Sequence, residues 1–382
     1  MNGGASLDHP DAAVAPLFET VTLGSLELRN RLVMAPMTRA CSPDGVPGAD
    51  VAAYYRRRAE GGVGLIVTEG TWVGHSSASN DPNVPMFYGD RALAGWGEVC
   101  RQVHAAGAKV VPQLWHVGAA GKSDVAEIYD SVADEAEGLS PSGLVKAGVP
   151  AGRAMTTGEI ETVIEAYAVA ARHAFDLGFD GVEIHGAHGY LVDQFFWHET
   201  NARCDEFGGD SAARAHFAAA IVRRIRARTN PAFPIILRFS QWKMQDYGAR
   251  AWPSPADLAA FLQPLVEAGV DIFHCSQRRY WEPEFAGSDL NLAGWTRRLS
   301  GKPTITVGSV TLSAEMIATL MEGATAATRA TDDLVERLTR EEFDLVAIGR
   351  ALITNPDWPK IVAAGRTMQL QPFSVAALAQ LV

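Results

Sequence analysis

The sequence predicts a single α/β domain folded as a (β/α)8, or TIM, barrel. Short runs rich in Val and Ile recur along the chain, and each is followed by a polar turn and a longer segment of helical periodicity. This alternation is typical of parallel strands joined by crossover helices. Eight such runs can be counted in the 382 residues, and a chain of this length is ordinary for one barrel.

The predicted elements follow one another regularly. Strands are expected at residues 32–36, 64–68, 109–115, 181–185, 235–239, 271–275, 303–308 and 344–349. Helices are expected at residues 90–106, 159–177, 212–228, 254–268 and 313–322. A glycine ends four of these helices, as a left-handed cap requires, at Gly107, Gly178, Gly269 and Gly323. A doubly wound open sheet fits the same periodicity nearly as well, so the residues at the strand ends have to decide.

Two segments exceed the minimal repeat. Residues 118–157 follow the third strand, and Tyr280 and Trp281 come shortly after the sixth. Loops after the strands of a barrel form the face that holds the active site. We therefore expect residues 118–157 to form a lid and the two aromatic residues to line a substrate pocket. The whole chain, residues 1–382, is predicted to be one domain.

Acidic residues outnumber basic ones. The 33 Lys and Arg against 44 Asp and Glu give a formal net charge of −11, which argues against partners such as nucleic acid or an anionic membrane. The basic run Arg56, Arg57 and Arg58 is the exception, and we interpret it as the solvated face of a helix. No apolar run reaches membrane-spanning length, and the N-terminus lacks the features of a secretory signal. We expect a cytoplasmic protein whose four scattered cysteines are reduced thiols.

The most distinctive local pattern follows the fourth predicted strand. His185, His188 and Tyr190 stand at its C-terminal end, interleaved with Gly186 and Gly189. A metal site is one interpretation, but no further Cys, Asp or Glu is obviously placed to complete a ligand set. Ordinary structural histidines are another. The glycines let the backbone approach a ligand closely, and together with the nearby tyrosine they favour a site that binds a small molecule.

This pattern is part of a longer one. Residues 185–210 contain HGAHGYL, DQFFW, TNAR and DEFGG in that order. Four further motifs are NRLVMAPMTR at 30–39, TEG at 68–70, QLWH at 113–116 and AIGRALITNPD at 347–357. Together they resemble the old yellow enzyme family, the flavin oxidoreductases that include 12-oxophytodienoate reductases. The resemblance implies a TIM barrel that binds FMN and uses NADH or NADPH to reduce an activated carbon–carbon double bond.

The resemblance also implies where the flavin lies. Ala35, Pro36, Met37 and Thr38 would run along its ring system, with Thr38 hydrogen-bonded near O4. Gly70 would leave room at a point where a side chain would collide with the flavin. These residues follow the first two predicted strands.

Polar residues at other strand ends suit the remaining edges of the flavin. Gln113 offers both a donor and an acceptor, as the pyrimidine edge requires. Arg238 would place a positive charge near N1 and O2, where negative charge gathers on reduction, although an isolated arginine is more often an ion-pair partner. Barrels commonly bind phosphate with the loops after the seventh and eighth strands. Those loops contain Gly308, Ser309, Gly349 and Arg350.

The family mechanism assigns roles to the residues of the histidine motif. His185 and His188 would donate hydrogen bonds to a carbonyl or nitro oxygen of the substrate, stabilising negative charge as hydride reaches the β-carbon. Tyr190 would protonate the α-carbon, since a phenol with a reference pKa of about 10 keeps its proton at neutral pH. Trp115 is expected in the substrate pocket. Enones and nitro compounds are the expected substrates, and a monomer or a homodimer is expected.

Three other functions fit the sequence less well. A Schiff-base aldolase needs a buried lysine, whereas Lys109 and Lys302 start strands and the others, including Lys243, are expected in loops or helices. A metallohydrolase needs a His-x-His motif on the first strand, where none occurs. A non-catalytic FMN-binding protein is the alternative from another class, but it would not need the histidine pair or Tyr190.

Two departures from the family pattern leave the substrate open. Where Asp-Pro commonly follows a Gln-Phe pair, this chain has Phe196 and Trp197. The tail at residues 374–382 lacks the aromatic residue that closes the pocket in many members. No metal is expected, and because no GxGxxG motif follows a strand, neither is a separate dinucleotide domain.

Overall fold

The computed structural model of the protein contains a closed barrel of eight parallel strands. The structure describes residues 7, 9–79, 81–122, 138–320 and 323–382. The strands in chain order are β1 (Val21–Leu23), β2 (Leu26–Leu28), β3 (Leu32–Met34), β4 (Leu65–Trp72), β5 (Lys109–Trp115), β6 (Leu139–Ser140), β7 (Leu144–Lys146), β8 (Val149–Pro150), β9 (Arg153–Ala154), β10 (Val182–His188), β11 (Ile235–Lys243), β12 (Ile272–Ser276), β13 (Thr304–Val307) and β14 (Leu345–Ile348). The barrel consists of β3, β4, β5 and β10 to β14. All eight stand where the sequence predicted them, so the barrel is confirmed and the open sheet was wrong.

Helices pack around the outside of the barrel. They are α1 (Ala49–Glu60), α2 (Asp90–Ala105), α3 (Thr157–Asp176), α4 (Leu191–Phe196), α5 (Ser211–Arg214), α6 (His216–Arg228), α7 (Pro255–Ala268), α8 (Leu292–Ser300), α9 (Met316–Leu320), α10 (Asp332–Thr339), α11 (Arg350–Thr354) and α12 (Trp358–Ala363). The predicted helix at 212–228 is divided at Ala215 into α5 and α6. The predicted glycine caps are confirmed at Gly107, Gly178 and Gly269, which follow the ends of α2, α3 and α7 with positive φ angles. Gly323 also has a positive φ angle, but residues 321 and 322 before it lie outside the described residues, so that cap stays a prediction.

Alternation along each barrel strand separates two apolar cores. On β3, for example, Leu32 and Met34 pack against the outer helices, while Val33 packs inside the barrel. Every barrel strand except β10 contributes an inward apolar residue to that interior, which also contains Leu26 and Leu28 of the β1–β2 hairpin. A strand that is buried on both faces reads as a continuous apolar run, which is why the eight strands could be recognised from sequence.

The excursion after β5 is only partly described. Residues 123–137 of the predicted lid at 118–157 lie outside the described residues. The described part contains two small sheets, β6 with β9 and β7 with β8, before a capping box between Thr156 and Glu159 begins α3. The lid therefore stays a prediction. Within the described ranges, no helix combines the length and the apolar character that crossing a membrane requires.

The basic run on α1 is not the solvated face that the sequence suggested. The Arg58 side chain is fully buried, and its guanidinium donates hydrogen bonds to the carbonyls of Leu352 and Ile353 at the end of α11. It also lies over the Tyr54 ring, with Cζ 3.7 Å from the centroid. Only Arg56 is exposed, 3.8 Å from Glu60 one turn later. The sequence pattern could not reveal a partner that lies almost 300 residues away.

We expect Arg58→Met to lower the free energy of unfolding by about 3 kcal/mol, because buried carbonyls of α11 lose a charged donor. Arg56→Met is the matched control, and an exposed ion pair of this kind should contribute less than about 0.5 kcal/mol. Urea denaturation followed by circular dichroism measures both changes. Equal losses in the two variants would contradict the buried role of Arg58.

Candidate active site

The barrel interior changes from apolar to polar at the C-terminal ends of the strands. Gln113, Glu183, Arg238 and His274 continue the inward-facing rows of β5, β10, β11 and β12 above the apolar core. Because the strands are in register, Gln113 lies beside Glu183, and Arg238 lies between His185 and His274. Four separate segments of the chain thus form one polar layer.

Glu183 ties this layer together. Its carboxylate is fully buried, with Oε1 accepting a hydrogen bond from Gln113 Nε2 at 2.7 Å and Oε2 lying 2.7 Å from His274 Nδ1. A buried carboxylate without partners would be very costly, so these contacts stabilise it. They also fix the Gln113 amide, since its Nε2 must point towards Glu183.

A cavity opens above the polar layer and encloses about 1360 Å³, including space open to solvent. Almost every residue that the sequence singled out lines it. These are Ala35, Pro36, Met37, Thr38, Gly70, Gln113, Trp115, His185, His188, Tyr190, Arg238, Gly308, Ser309, Gly349 and Arg350. They come from seven of the eight barrel strands or the loops just beyond them, and they meet only because the barrel closes.

Tyr280 and Trp281 are the exceptions, because neither lines the cavity. After β12 the chain turns away: Tyr280 donates its backbone N–H to Gly308, and its ring is 1% exposed. The Trp281 ring is covered instead by the guanidinium of Arg329, with Cζ 3.6 Å from the centroid. The prediction that these two residues form a substrate pocket was wrong for this cavity.

Two other aromatic residues take that place. Trp242 and Tyr247 follow Arg238 and line the cavity, stacked on each other at 5.3 Å, and Trp242 stacks on the His188 ring at 4.5 Å. The fifth predicted strand ended at residue 239, whereas β11 continues to Lys243. The aromatic spacing alone gave no sign that this extension folds over the mouth.

The C-terminal tail also reaches the cavity. Phe373 and Leu378 line it, and Arg39 holds the tail through hydrogen bonds to the carbonyls of Leu378 and Gln380. The prediction that the tail lacks a pocket-closing aromatic residue considered only residues 374–382. Phe373 lies one position before that range. By contrast, Phe196 packs against Phe261 and Trp252 in the outer core, so the departure at that position does not alter the cavity wall.

His185, His188, Tyr190 and Trp115 form one cluster on the cavity wall. The two imidazole centroids are 5.2 Å apart, and the Tyr190 ring lies 5.1 Å from His185 and 4.9 Å from Trp115. Gly70 serves this cluster, because a Cβ on it would lie 2.7 Å from Cε3 of Trp115. The family resemblance had implied a different neighbour for Gly70, the flavin itself.

Ser276, which the sequence analysis missed, connects two members of the site. Its Oγ lies 2.8 Å from His188 Nε2 and accepts a hydrogen bond from Arg238 Nη2 at 3.3 Å. It is the last residue of β12 and lines the cavity. The same strand-end reasoning that found His185 would have found it.

Burial and nearby positive charge keep both histidines neutral. Burial away from solvent is the main reason that the pKa of His185 and of His188 lies well below the usual value, and the charge of Arg238 is the second. Burial lowers the pKa of Arg238 to about 10, so it stays charged at neutral pH. Neutral imidazoles beside a permanent cation form a site that can donate hydrogen bonds and stabilise negative charge.

The other end of the cavity is lined by Gly308, Ser309, Gly349, Arg278 and Arg350. Arg350 donates to the carbonyls of Ala314 and Glu315, and burial lowers its pKa to about 10. Arg278, which was not predicted, adds a second cation there. Two arginines together outweigh the single carboxylate of Glu315, so this end favours an anion.

Lys243 departs from the sequence analysis, which placed it in a loop or helix. It is the last residue of β11, and its side chain is fully buried in an ion pair with Asp193, with 2.6 Å between Nζ and Oδ1. It does not line the cavity, although its neighbours Trp242 and Met244 do. In the part of the chain that the structure describes, no group of three or more His, Cys, Asp or Glu side chains is arranged to hold a metal ion.

Comparison with known sequences gives a consistent result. A family model described as the NADH:flavin oxidoreductase / NADH oxidase family matches residues 16–369. Chanoclavine-I aldehyde reductase fgaOx3 of Penicillium roqueforti (strain FM164) is 34% identical over 359 residues, which cover 91% of this chain and 89% of that protein. NADH oxidase of Thermoanaerobacter brockii is 32% identical over 365 residues, or 93% of this chain. This chain spans only about half (52%) of the length of the latter protein.

Solved structures agree. Morphinone reductase in complex with tetrahydroNAD superposes with a TM-score of 0.77 at 28% identity, covering 95% of this chain and 93% of that one. The old yellow enzyme homologue from Zymomonas mobilis has a TM-score of 0.75 at 25% identity, covering 95% and 96%. The similarity therefore extends over the entire barrel in both cases.

We expect His185 and His188 to stay neutral from pH 8 to pH 5.5, because their pKa values lie well below the usual range. Histidine-selective ¹⁵N NMR of the protein measures this directly. His104, whose pKa its hydrogen bond to Asp180 raises to about 10, is the internal control and should stay protonated throughout. Arg238→Met should raise the pKa of both site histidines, since it removes a neighbouring positive charge. Titration of either histidine near pH 6.5 in the unaltered protein would contradict this.

Proposed function

The chain belongs to the NADH:flavin oxidoreductase / NADH oxidase family, and on this premise we propose that its cavity residues divide the reaction among three groups. The protein is an FMN-dependent ene-reductase of old yellow enzyme type that uses NAD(P)H. The proposal concerns which residues hold the cofactor, which hold the substrate, and which supplies the proton. The observation that supports it most is that His185, His188 and Tyr190 share one cavity with Gln113 and Arg238.

The first group would hold the FMN ring. The residues fit such a group, because Nδ1 of His185 and Nε of Arg238 are buried without any hydrogen-bond partner, as expected where a polar ligand completes the site. Gln113 would present its amide to the pyrimidine edge in the orientation that Glu183 fixes. Ala35, Pro36, Met37 and Thr38 would lie along the ring, as the family resemblance implies.

The phosphate would bind at the cationic end of the cavity. Backbone at Gly308, Ser309 and Gly349, with the charges of Arg278 and Arg350, would hold it. A Cβ on Gly349 would meet nothing closer than 3.7 Å, from Met37 Sδ, so the space beside this backbone is open on the cavity side. Bound there, FMN would supply the chemistry of hydride transfer from NAD(P)H to the β-carbon of the substrate.

The second group would hold the substrate oxygen. Arg238 donates to Ser276 Oγ, so the single hydroxyl proton of Ser276 is available for Nε2 of His188. The neutral His188 ring would then carry its proton on Nδ1 and donate from there. His185 would donate the second hydrogen bond. Two neutral donors can stabilise the enolate-like charge without giving up a proton.

Tyr190 would supply the proton to the α-carbon. It precedes α4 at the cavity wall, and its ring makes T-shaped contacts with the rings of Trp115 and His185. The partly exposed ring leaves a route by which solvent can restore the proton. Trp242, Tyr247 and Trp115 would provide flat apolar walls for the rest of the substrate.

Enones and nitroalkenes are the substrates that this arrangement suits best. Both have a polar oxygen for the histidine pair and a conjugated double bond that can lie flat between aromatic walls. The comparisons give no support to a non-catalytic FMN-binding protein. A cytoplasmic location, the lid, the absence of a nucleic-acid partner and the choice between a monomer and a homodimer stay predictions.

We expect Gln113→Ala and Arg238→Ala each to weaken FMN binding or to shift the flavin reduction potential. Losing one charged or buried hydrogen bond costs about 1.5–3 kcal/mol, or roughly 10- to 100-fold in affinity. Quenching of FMN fluorescence by apoprotein measures the affinity. Arg279→Ala is the matched control, because Arg279 pairs with Glu282 outside the cavity. FMN affinity and potential unaltered in both variants would show that the pyrimidine edge lies elsewhere.

We expect Tyr190→Phe to leave flavin reduction by NAD(P)H largely unchanged but to slow the oxidation of the reduced enzyme by weakly activated enones. Nitroalkenes should suffer less, because the nitronate formed is stable enough to take its proton later from water. Replacing His185 and His188 should instead weaken the binding of phenols, which imitate the enolate. Stopped-flow measurement of the two half-reactions separates these effects. Equal loss in both half-reactions for Tyr190→Phe would remove Tyr190 from the acid role.

A further inference from the structure

The turn at His188 and Gly189, which leads directly to Tyr190, has an unusual backbone geometry. His188 has a φ of 67° and Gly189 a φ of 81°, so two successive residues are left-handed. A histidine seldom adopts this conformation, which persists only where the surroundings impose it. Because Tyr190 follows directly, this turn sets the positions of the second imidazole and the phenol relative to each other.

Side chains from neighbouring elements hold the turn through its backbone N–H groups. His188 donates its N–H to Ser240 Oγ at 3.0 Å, and Gly189 donates to Asp193 Oδ2 at 2.7 Å. Gln194 Nε2 donates to the Gly189 carbonyl at 2.7 Å. Asp193 and Gln194 both belong to α4, the helix that begins immediately after Tyr190.

Lys243 connects Ser240 and Asp193, the two residues whose side chains accept these N–H hydrogen bonds. Its Nζ donates to Asp193 Oδ1 at 2.6 Å and to the Ser240 carbonyl at 2.8 Å. Both side chains of the ion pair are fully buried, so solvent does not compete for either partner in the intact protein. A single ammonium group thus fixes the α4 carboxylate and the β11 backbone that together support the turn.

We propose that the Asp193–Lys243 ion pair is a positioning device that holds His188 and Tyr190 in register for substrate, and that Lys243 itself takes no chemical part. The second half of this proposal follows from the position of Lys243 outside the cavity lining, to which its chain neighbours Trp242 and Met244 belong. The first half rests on the proposed function, since it matters only if His188 and Tyr190 act on the substrate.

The pair behaves as a unit, which makes the proposal testable. Removing Lys243 alone leaves a buried carboxylate without its cation, and such a group must take up a proton or draw in water. Either change disturbs the acceptor of the Gly189 N–H. Removing both charges with Asp193→Asn and Lys243→Met leaves an amide oxygen that can still accept that hydrogen bond, so the turn is retained.

The experiment compares the wild type, Lys243→Met, Asp193→Asn and the double variant as FMN-loaded proteins. The measurements are the visible spectrum, the rate of flavin reduction by NADPH, the affinity for 4-methoxyphenol, and the rate of oxidation by 2-cyclohexenone. For Lys243→Met we expect roughly ten- to a hundredfold losses in the last two, a size typical of misplaced catalytic groups. Flavin content and reduction should change little, and the double variant should recover most of both losses.

Two further variants serve as a control for the loss of a buried ion pair and as a test of whether the pair acts through Tyr190. Arg337→Met breaks another ion pair with a buried carboxylate, that of Glu342, outside the cavity lining, and should lower thermal stability without weakening phenol binding. In a Tyr190→Phe background, Lys243→Met should cost much less of the oxidation rate than it does alone, because the residue being positioned is already absent. Additive losses would mean that the pair does not act through Tyr190.

The remaining outcomes overturn one proposal or the other. A Lys243→Met protein equal to the wild type would overturn the positioning role. A double variant as impaired as the single one would also overturn it, because the loss would then not come from the unpaired Asp193 carboxylate. If Lys243→Met does not fold, the double variant alone decides, and its failure to bind phenol would also count against the inference. A wild type that neither binds the phenol nor reduces the enone would instead refute the proposed function.

Discussion

The site depends on a buried carboxylate that the barrel cannot leave unpaired. Glu183 faces the interior because its neighbours Val182 and Ile184 face outward, and alternation allows no other choice. Its two oxygens are held by Gln113 on the neighbouring strand β5 and by His274 on β12, the strand beyond β11. The polar floor of the cavity is therefore fixed by the same alternation and register that close the barrel.

Next to that floor, charged and neutral side chains lie only a short distance from each other. Arg238 is a cation, yet its charge and the lack of solvent make the neighbouring histidines neutral donors. The Asp193–Lys243 pair is equally buried but lies outside the cavity lining, where it contacts backbone groups of the His188–Gly189 turn and of β11. In a medium of low effective dielectric, such an arrangement allows stabilisation of developing negative charge without competing proton transfer.

The sequence predicted the fold from periodicity, and most of the cavity from strand-end positions together with the family resemblance. Strands buried on both faces appear as apolar runs, and a barrel brings all their C-terminal ends to one mouth. Residues directly after those runs, such as His185 and Gln113, could be found by position. Residues farther along the chain from a predicted strand end could not be found in this way. Trp242 and Phe373 line the cavity only because β11 extends to Lys243 and the C-terminal tail folds back. Tyr280 and Trp281 show the opposite error, since a strand-end position does not determine which way the following loop turns.

The sequence by itself determined the order of strands and helices, the glycine caps, and the chemical types of side chain available at the barrel mouth. These are local properties of periodicity and conformational preference. Only the tertiary structure decided the partners of buried charges: Arg58 with α11, Lys243 with Asp193, and Ser276 between His188 and Arg238. The physical reason is that a buried charge is stabilised by whichever group lies within about 3 Å in space, and separation along the chain carries no information about that distance.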